Sequence, residues 1–154
     1  MDWSVQRHFE DVEAGQEIPP VSFPLSVYRL VVEAGANRDF NSIHHNSAFA
    51  IASGTDEMYA NTTFLLGMWE RTVREFIGLG GGIRKIAGFR MRSFNYVGET
   101  VTVHGKIKEK RVEDDQGVVE LEVWSATPGG VTVGPGTVTV TLPRREPGES
   151  LRAA

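Results

Sequence analysis

The sequence contains no cysteine, which removes disulfides, thiolate metal ligands and cysteine nucleophiles in one step. That composition fits a reducing compartment, and a cytoplasmic location is the expectation. Positive charge is also short: 16 Lys and Arg stand against 20 Asp and Glu, for a formal net charge of -4. A protein that neutralises phosphates along a duplex needs a basic face, and this chain lacks the surplus for a nucleic-acid partner. Long apolar runs are missing as well. None approaches the roughly 18 residues needed to span a bilayer, and Met1 to His8 contain no continuous apolar stretch of the signal-peptide kind. The chain is therefore expected to be soluble and to have no membrane partner. Two signatures of common chemistries are absent too. There is no Gly-x-Ser-x-Gly nucleophile elbow, and Gly80 to Gly82 precede a strand pattern rather than opening a helix, so they do not form a phosphate-binding loop.

What is present is an ordinary globular composition, with 40% hydrophobic and 23% charged residues in 154 positions. That length suits one domain, and a domain of this size buries roughly 70% of the surface its unfolded chain exposes. No internal repeat or low-complexity linker divides it. A single domain over 1–143 is expected, with a polar, proline-containing tail over 144–154 expected to be disordered.

Periodicity then orders the chain. Leu65, Met68, Trp69, Val73 and Phe76 recur at helical spacing between Thr62 and Ile77. Glu70, Arg71, Arg74 and Glu75 fall on the other side, four apart in two pairs, and Gly78 is placed to end the helix in a left-handed cap. A shorter helix is predicted over Val27 to Ala36 with Ser26 as its cap, and a further helical turn after Ser47. From Thr100 onward the pattern alternates by twos. Val101, Val103 and Ile107 share one face, Val119, Leu121 and Val123 another, and Val138, Val140 and Leu142 a third. Asp114 to Gly117 and Pro128 to Gly130 supply turns between them. An earlier strand is predicted over Lys85 to Val97. Short turns join neighbours, so the sheet is antiparallel. The fold class is α+β, with an antiparallel sheet able to wrap one long central helix.

The stretch that carries chemistry is Asn37-Arg38-Asp39-Phe40-Asn41-Ser42-Ile43-His44-His45-Asn46, which has no periodicity of its own. A carboxylate and an imidazole on an irregular loop can converge on one point and hold a water between them, one group taking its proton and the other giving a proton to the substrate. On spacing alone, capping of the following turn by Asp39 and Asn41 is the commoner explanation of such residues. A calcium loop is excluded by Ile43, which stands where an oxygen ligand is required. His44 and His45 are adjacent, so they point apart and chelate poorly; no metal site is expected. His8 and His104 read as solvated.

The same stretch resembles the signature of the MaoC-like (R)-specific enoyl-CoA hydratases: Asp-x-Asn-Pro, an aliphatic residue, His, five residues, then Ala. Here it runs Asp39, Phe40, Asn41, Ser42, Ile43 and His44, with Ala50 in its place. The resemblance covers roughly Phe9 to Leu142 and implies the hot-dog fold. It implies hydration of a trans-2-enoyl-CoA, or the reverse dehydration, with Asp39 and His44 catalytic and Asn41 fixing the loop. No cofactor is implied beyond the coenzyme A carried by the substrate. The family's Ser-Gly before the aspartate is Asn37-Arg38 here, its proline is Ser42, and the His-Gly that opens its central helix is Asn61-Thr62. The Thr62 amide inherits the expected contact with the thioester oxygen. Arg84, Lys85, Arg90 and Arg92 are candidates for the coenzyme A phosphates.

Arg38-Asp39-Phe40, His44-His45 and Asn61-Thr62 are similar to the small MaoC-like subunits of bacterial steroid side-chain degradation. That likeness implies a bulky acyl group and a second hot-dog subunit, or else a homodimer. A thioesterase on the same fold would not need His44. A non-catalytic acyl-CoA-binding subunit would have lost one member of the pair, and both are present.

Overall fold

The computed structural model describes residues 4–145. Its elements run β1 (Glu17–Pro24), α1 (Val27–Ala36), α2 (Ser47–Ala52), α3 (Thr62–Ile77), β2 (Gly82–Ala87), β3 (Thr100–Glu113), β4 (Gln116–Thr127) and β5 (Gly130–Leu142), with short 3-10 turns at Phe9–Asp11 and Ser42–His44. The five strands form one antiparallel sheet in the order β1-β3-β4-β5-β2. It wraps α3, which buries Leu65, Met68, Trp69, Val73, Phe76 and Ile77. This is the hot-dog arrangement. The alternating valines and leucines of β3, β4 and β5 are fully buried against that helix. Burial of this apolar surface is the main stabilising term of the fold.

Local chemistry sets the ends of the elements. Ser26 caps α1 by accepting from the Arg29 amide at 3.2 Å, and Asn61 caps α3 by accepting from the Phe64 amide at 2.8 Å. Such caps satisfy amides that have no partner inside the helix. Asp114 (φ 46°) and Asp115 (φ 63°) form the tight β3–β4 turn, whose twist needs positive φ at both positions. The Trp69 indole donates to the Ser125 hydroxyl at 2.8 Å, so the largest buried side chain leaves no polar atom unpaired.

Several details depart from the sequence pattern. The strand predicted over Lys85 to Val97 starts earlier and stops at Ala87, because Gly88 takes φ 67° and turns the chain off the sheet. Residues 88–97 then run outside the named strands, held by two isolated bridges, Met91 to Val133 of β5 and Tyr96 to Tyr59 in the loop before α3. Phe89 leaves the sheet to pack edge-on against Trp69 at 4.9 Å. Gly78 does have positive φ (78°), but its ψ of -176° sends the chain onward extended instead of into a left-handed cap. Of the two surface pairs on α3, Arg71 meets Glu75, whereas Arg74 donates to the carbonyls of Gly78 and Gly81 beyond the helix end. His104 does not stand free: it stacks on Trp124 across the β3–β4 pair at 5.5 Å. Within the tail, Arg144 pairs with Asp115 and Arg145 with Asp11; positions 146–154 lie outside the described residues.

Candidate active site

The loop that joins α1 to α2 folds over the start of α3. Asn37 closes α1, and Arg38 follows with φ 55°, a left-handed conformation that a glycine adopts freely and an arginine at some cost. That turn brings the Asp39 amide back to the Ala34 carbonyl at 2.9 Å and aims the carboxylate at the start of α3. Asn41 caps the next 3-10 turn, accepting from the Ile43 amide at 3.3 Å. The capping role weighed for Asn41 is thus what it does locally. Asp39 shares in it through Oδ1, which accepts from the Asn41 amide at 3.5 Å, and its Oδ2 does something else.

Asp39 Oδ2 lies 3.4 Å from His44 Nε2 and accepts a hydrogen bond from Asn61 Nδ2 at 3.0 Å. The carboxylate is partly open to solvent, while His44 is buried. The other imidazole nitrogen, Nδ1, is 2.8 Å from the Tyr59 carbonyl oxygen. A carbonyl can only accept, so in the neutral ring Nδ1 carries the proton and Nε2 presents a lone pair toward Asp39. Two acceptors then face each other across 3.4 Å, and a proton donor, such as a water bonded to both, satisfies the gap. His45 turns the opposite way, with Nε2 at 3.3 Å from the Phe40 carbonyl.

Thr62 begins α3 beside this pair. Its hydroxyl contacts the Met91 sulfur at 3.2 Å, which leaves the side chain against the segment that follows β2. The first amides of a helix have no partner within it and lie at the positive end of its dipole. The four basic candidates separate in space. Arg90 and Arg92 flank Met91 and are exposed, with Arg92 donating to the Gly134 carbonyl. Arg84 lies toward the other end of the sheet, on Glu113 (3.1 Å) and Gln116 (2.6 Å) of the β3–β4 hairpin. Lys85 is exposed on β2 next to it.

Sequence reasoning missed two participants. The Tyr59 carbonyl has no side-chain signature at all, since it is backbone. Glu33 had one. It lies on the same helical stripe as Leu30 and Ala34, the buried side of α1, where a carboxylate is out of pattern. Burial pushes its carboxyl above the ordinary value of 4.5; the nearby amides of Asn37 and Asn61 and the imidazole of His44 pull against that, and Asp39 pushes it further up.

A carboxylate facing an imidazole at the start of the central helix suits general acid–base chemistry, and the comparisons with known proteins narrow the class. No protein-family model matches the chain. It is 31% identical over 117 residues to the 3-oxo-4,17-pregnadiene-20-carboxyl-CoA hydratase beta subunit of Mycobacterium tuberculosis, a match covering 76% of this chain and 84% of that protein. A chain of the ChsH1–ChsH2 complex from the same organism superposes with a TM-score of 0.73 at 28% identity, over 86% of this chain and 98% of that one. The (R)-hydratase of A. caviae involved in PHA biosynthesis shares the fold with a TM-score of 0.77 at 21% identity, over 87% of this chain and 99% of the other. The chain belongs to the MaoC-like hydratase and dehydratase family, hydro-lyases built on the hot-dog fold.

Proposed function

We infer that this chain is an (R)-specific enoyl-CoA hydratase, adding water in the syn sense across a trans-2-enoyl thioester, or removing it from the (3R)-hydroxyacyl thioester. The observation that carries this reading is the facing pair, Asp39 Oδ2 and His44 Nε2 at 3.4 Å, with Nδ1 committed to the Tyr59 carbonyl. A water held by both groups loses its proton to Nε2 as its oxygen bonds to the β-carbon. The α-carbon takes a proton on the same face from Asp39, which acts in its protonated form, and the proton gained by Nε2 then passes across the 3.4 Å contact to the Asp39 carboxylate and restores the pair. Electron density moves onto the thioester oxygen, where the Thr62 amide at the helix start stabilises it; losing one such donor typically costs about 100- to 1000-fold in rate. Each atom of water ends on the product, so the chemistry requires no metal or redox cofactor, and coenzyme A arrives as part of the substrate. Arg90 and Arg92, at the helix-start end, are the better placed of the basic candidates for its phosphates.

Two observations support a bulky, steroid-like acyl group. The relative at 31% identity is a hydratase of a pregnadiene carboxyl-CoA, and a groove of about 450 Å³ runs between α1 and α3, walled by Phe23, Tyr28, Val32, Phe64 and Met68. The structural neighbour from the ChsH1–ChsH2 complex supports a heteromer with a second hot-dog subunit. A homodimer is the other form this reading admits.

The test is loss of enoyl-thioester absorbance with crotonyl-CoA and with a steroid side-chain enoyl-CoA, using the chain alone and co-expressed with a hot-dog partner. Asp39→Asn and His44→Ala are each expected to cut the hydration rate by about 100- to 10,000-fold while circular dichroism shows the fold intact. Thioester cleavage that survives His44→Ala would instead make the protein a thioesterase.

A further inference from the structure

Among the described residues, Glu33 is the carboxylate beside the site that the proposed reaction leaves unused. It is 8% exposed. One oxygen, Oε1, accepts from the side-chain amide of Asn37; the other, Oε2, is buried without a hydrogen-bond partner. Asn37 is the residue that closes α1, its amide bonded to the Glu33 carbonyl at 2.9 Å, and the chain turns through Arg38 directly into Asp39. The Asn61 amide also bears on the Glu33 carboxyl, and it is the amide that donates to Asp39 Oδ2 at 3.0 Å. Glu33 therefore reaches the catalytic carboxylate from both sides, through the helix end that delivers it and through the cap that holds it.

Its charge state follows from what surrounds it. From its own helix it meets Asn37, from the adjoining loop Asp39 and His44, and from α3 Asn61. Two cations, Arg29 and Arg71, line the adjoining groove. Arg29 donates to the Pro24 carbonyl at 3.1 Å, and Arg71 pairs with Glu75. An ionised Glu33 would hold an unsolvated oxygen next to a second carboxylate, which is the less stable arrangement. A proton on Oε2 removes the buried charge, the larger part of that cost, and leaves Oε1 as the carbonyl that accepts from Asn37.

We propose that Glu33 is a positioning residue of the catalytic site that works as the un-ionised acid, fixing Asn37 and Asn61 around Asp39 and keeping a second negative charge away from the Asp39–His44 pair. Its upward-shifted pKa, caused first by burial, agrees with this. The kinetic part rests on the hydratase reading; the protonation state does not.

Two measurements separate these. Infrared difference spectra of wild type against Glu33→Gln, taken near pH 6 where exposed carboxyls of about pKa 4 are ionised, should contain a carboxylic-acid stretch that fades as the pH is raised. Carboxylate bands alone would overturn the proposal, whatever the enzyme's activity. In the hydration assay, Glu33→Ala should lower kcat by about 10- to 100-fold with little change in KM, and Glu33→Gln, which keeps a neutral acceptor for Asn37, should recover most of that loss. The wild-type rate should also fall on the alkaline side as Glu33 ionises, and this fall should be missing from Glu33→Gln. Superimposable pH profiles, or a Glu33→Gln as impaired as Glu33→Ala, would count against it. If wild type hydrates no enoyl thioester, the hydratase reading falls and the infrared result alone decides the protonation state.

Discussion

At the scale of the residue, the site depends on two side chains in unfavourable settings. Arg38 holds φ 55° just before Asp39, a conformation that costs an L-residue roughly 1–2 kcal/mol. The family's glycine at this position would adopt it without strain. Arg38→Gly is expected to unfold at the wild-type temperature or above, whereas Arg38→Val, with a branch at Cβ, should melt lower by about 2–4 °C or more. A calorimetric scan of the two variants checks this; a Gly variant less stable than the Val variant would mean that Arg38 is not strained. Glu33 adds a pH dependence. Its folded pKa is raised above the ordinary 4.5 by burial. Its favourable contribution is thus complete below that value and is lost as the pH climbs through the folded pKa. The melting temperature of Glu33→Gln relative to wild type should therefore improve steadily as pH increases from about 4.5. A difference that is flat with pH would show the shift to be absent.

At the scale of the element, the start of α3 does two jobs through one side chain. Asn61 caps the helix through Oδ1 and holds Asp39 through Nδ2. The two functions can be pulled apart. Asn61→Asp keeps the capping oxygen, and its charge suits the positive helix end, but it replaces the donor to Asp39 by a like charge. It is expected to retain its melting temperature within a few degrees and to lose hydratase activity. Asn61→Ala should lose both, with about 1 kcal/mol of the helix cap gone. Equal melting temperatures for the Asp and Ala variants would argue that the cap contributes nothing. A second element-level device lies opposite, where β5 passes under the helix. A Cβ on Gly134 would come within 2.9 Å of the Trp69 ring, and φ there is 79°, so the strand can approach the helix only with a glycine at that point.

For the molecule as a whole, the apolar surface left uncovered is considerable. Tyr28 is 75% exposed and Phe40 71%, and Val27, Val31, Val32, Phe49 and Ile51 are open as well. Apolar residues grouped in this way mark assembly surfaces more often than free ones, and among the described residues β1 and β2 form the two edges of the sheet, each with a strand on one side alone. Light scattering coupled to size exclusion should find at least a dimer, and co-expression with a second hot-dog subunit should shift the mass to a mixed complex. A monodisperse monomer at micromolar concentration would contradict both expectations.

The sequence by itself determined the elements. Helical spacing from Leu65 to Phe76, the cap at Ser26 and the alternation of valines after Thr100 depend on neighbours a few residues away, and those readings match the structure. It also singled out Asp39 and His44 within one loop. What it did not contain is which atoms meet across long separations. The segment after Ala87 falls inside the strand predicted over Lys85 to Val97, yet Phe89 is claimed by Trp69, twenty positions earlier. The Tyr59 carbonyl that fixes the imidazole tautomer and the Glu33 carboxyl behind the site act through a backbone oxygen and a buried side chain. Their roles come from where α1, the loop and α3 converge, and only the tertiary structure decides that.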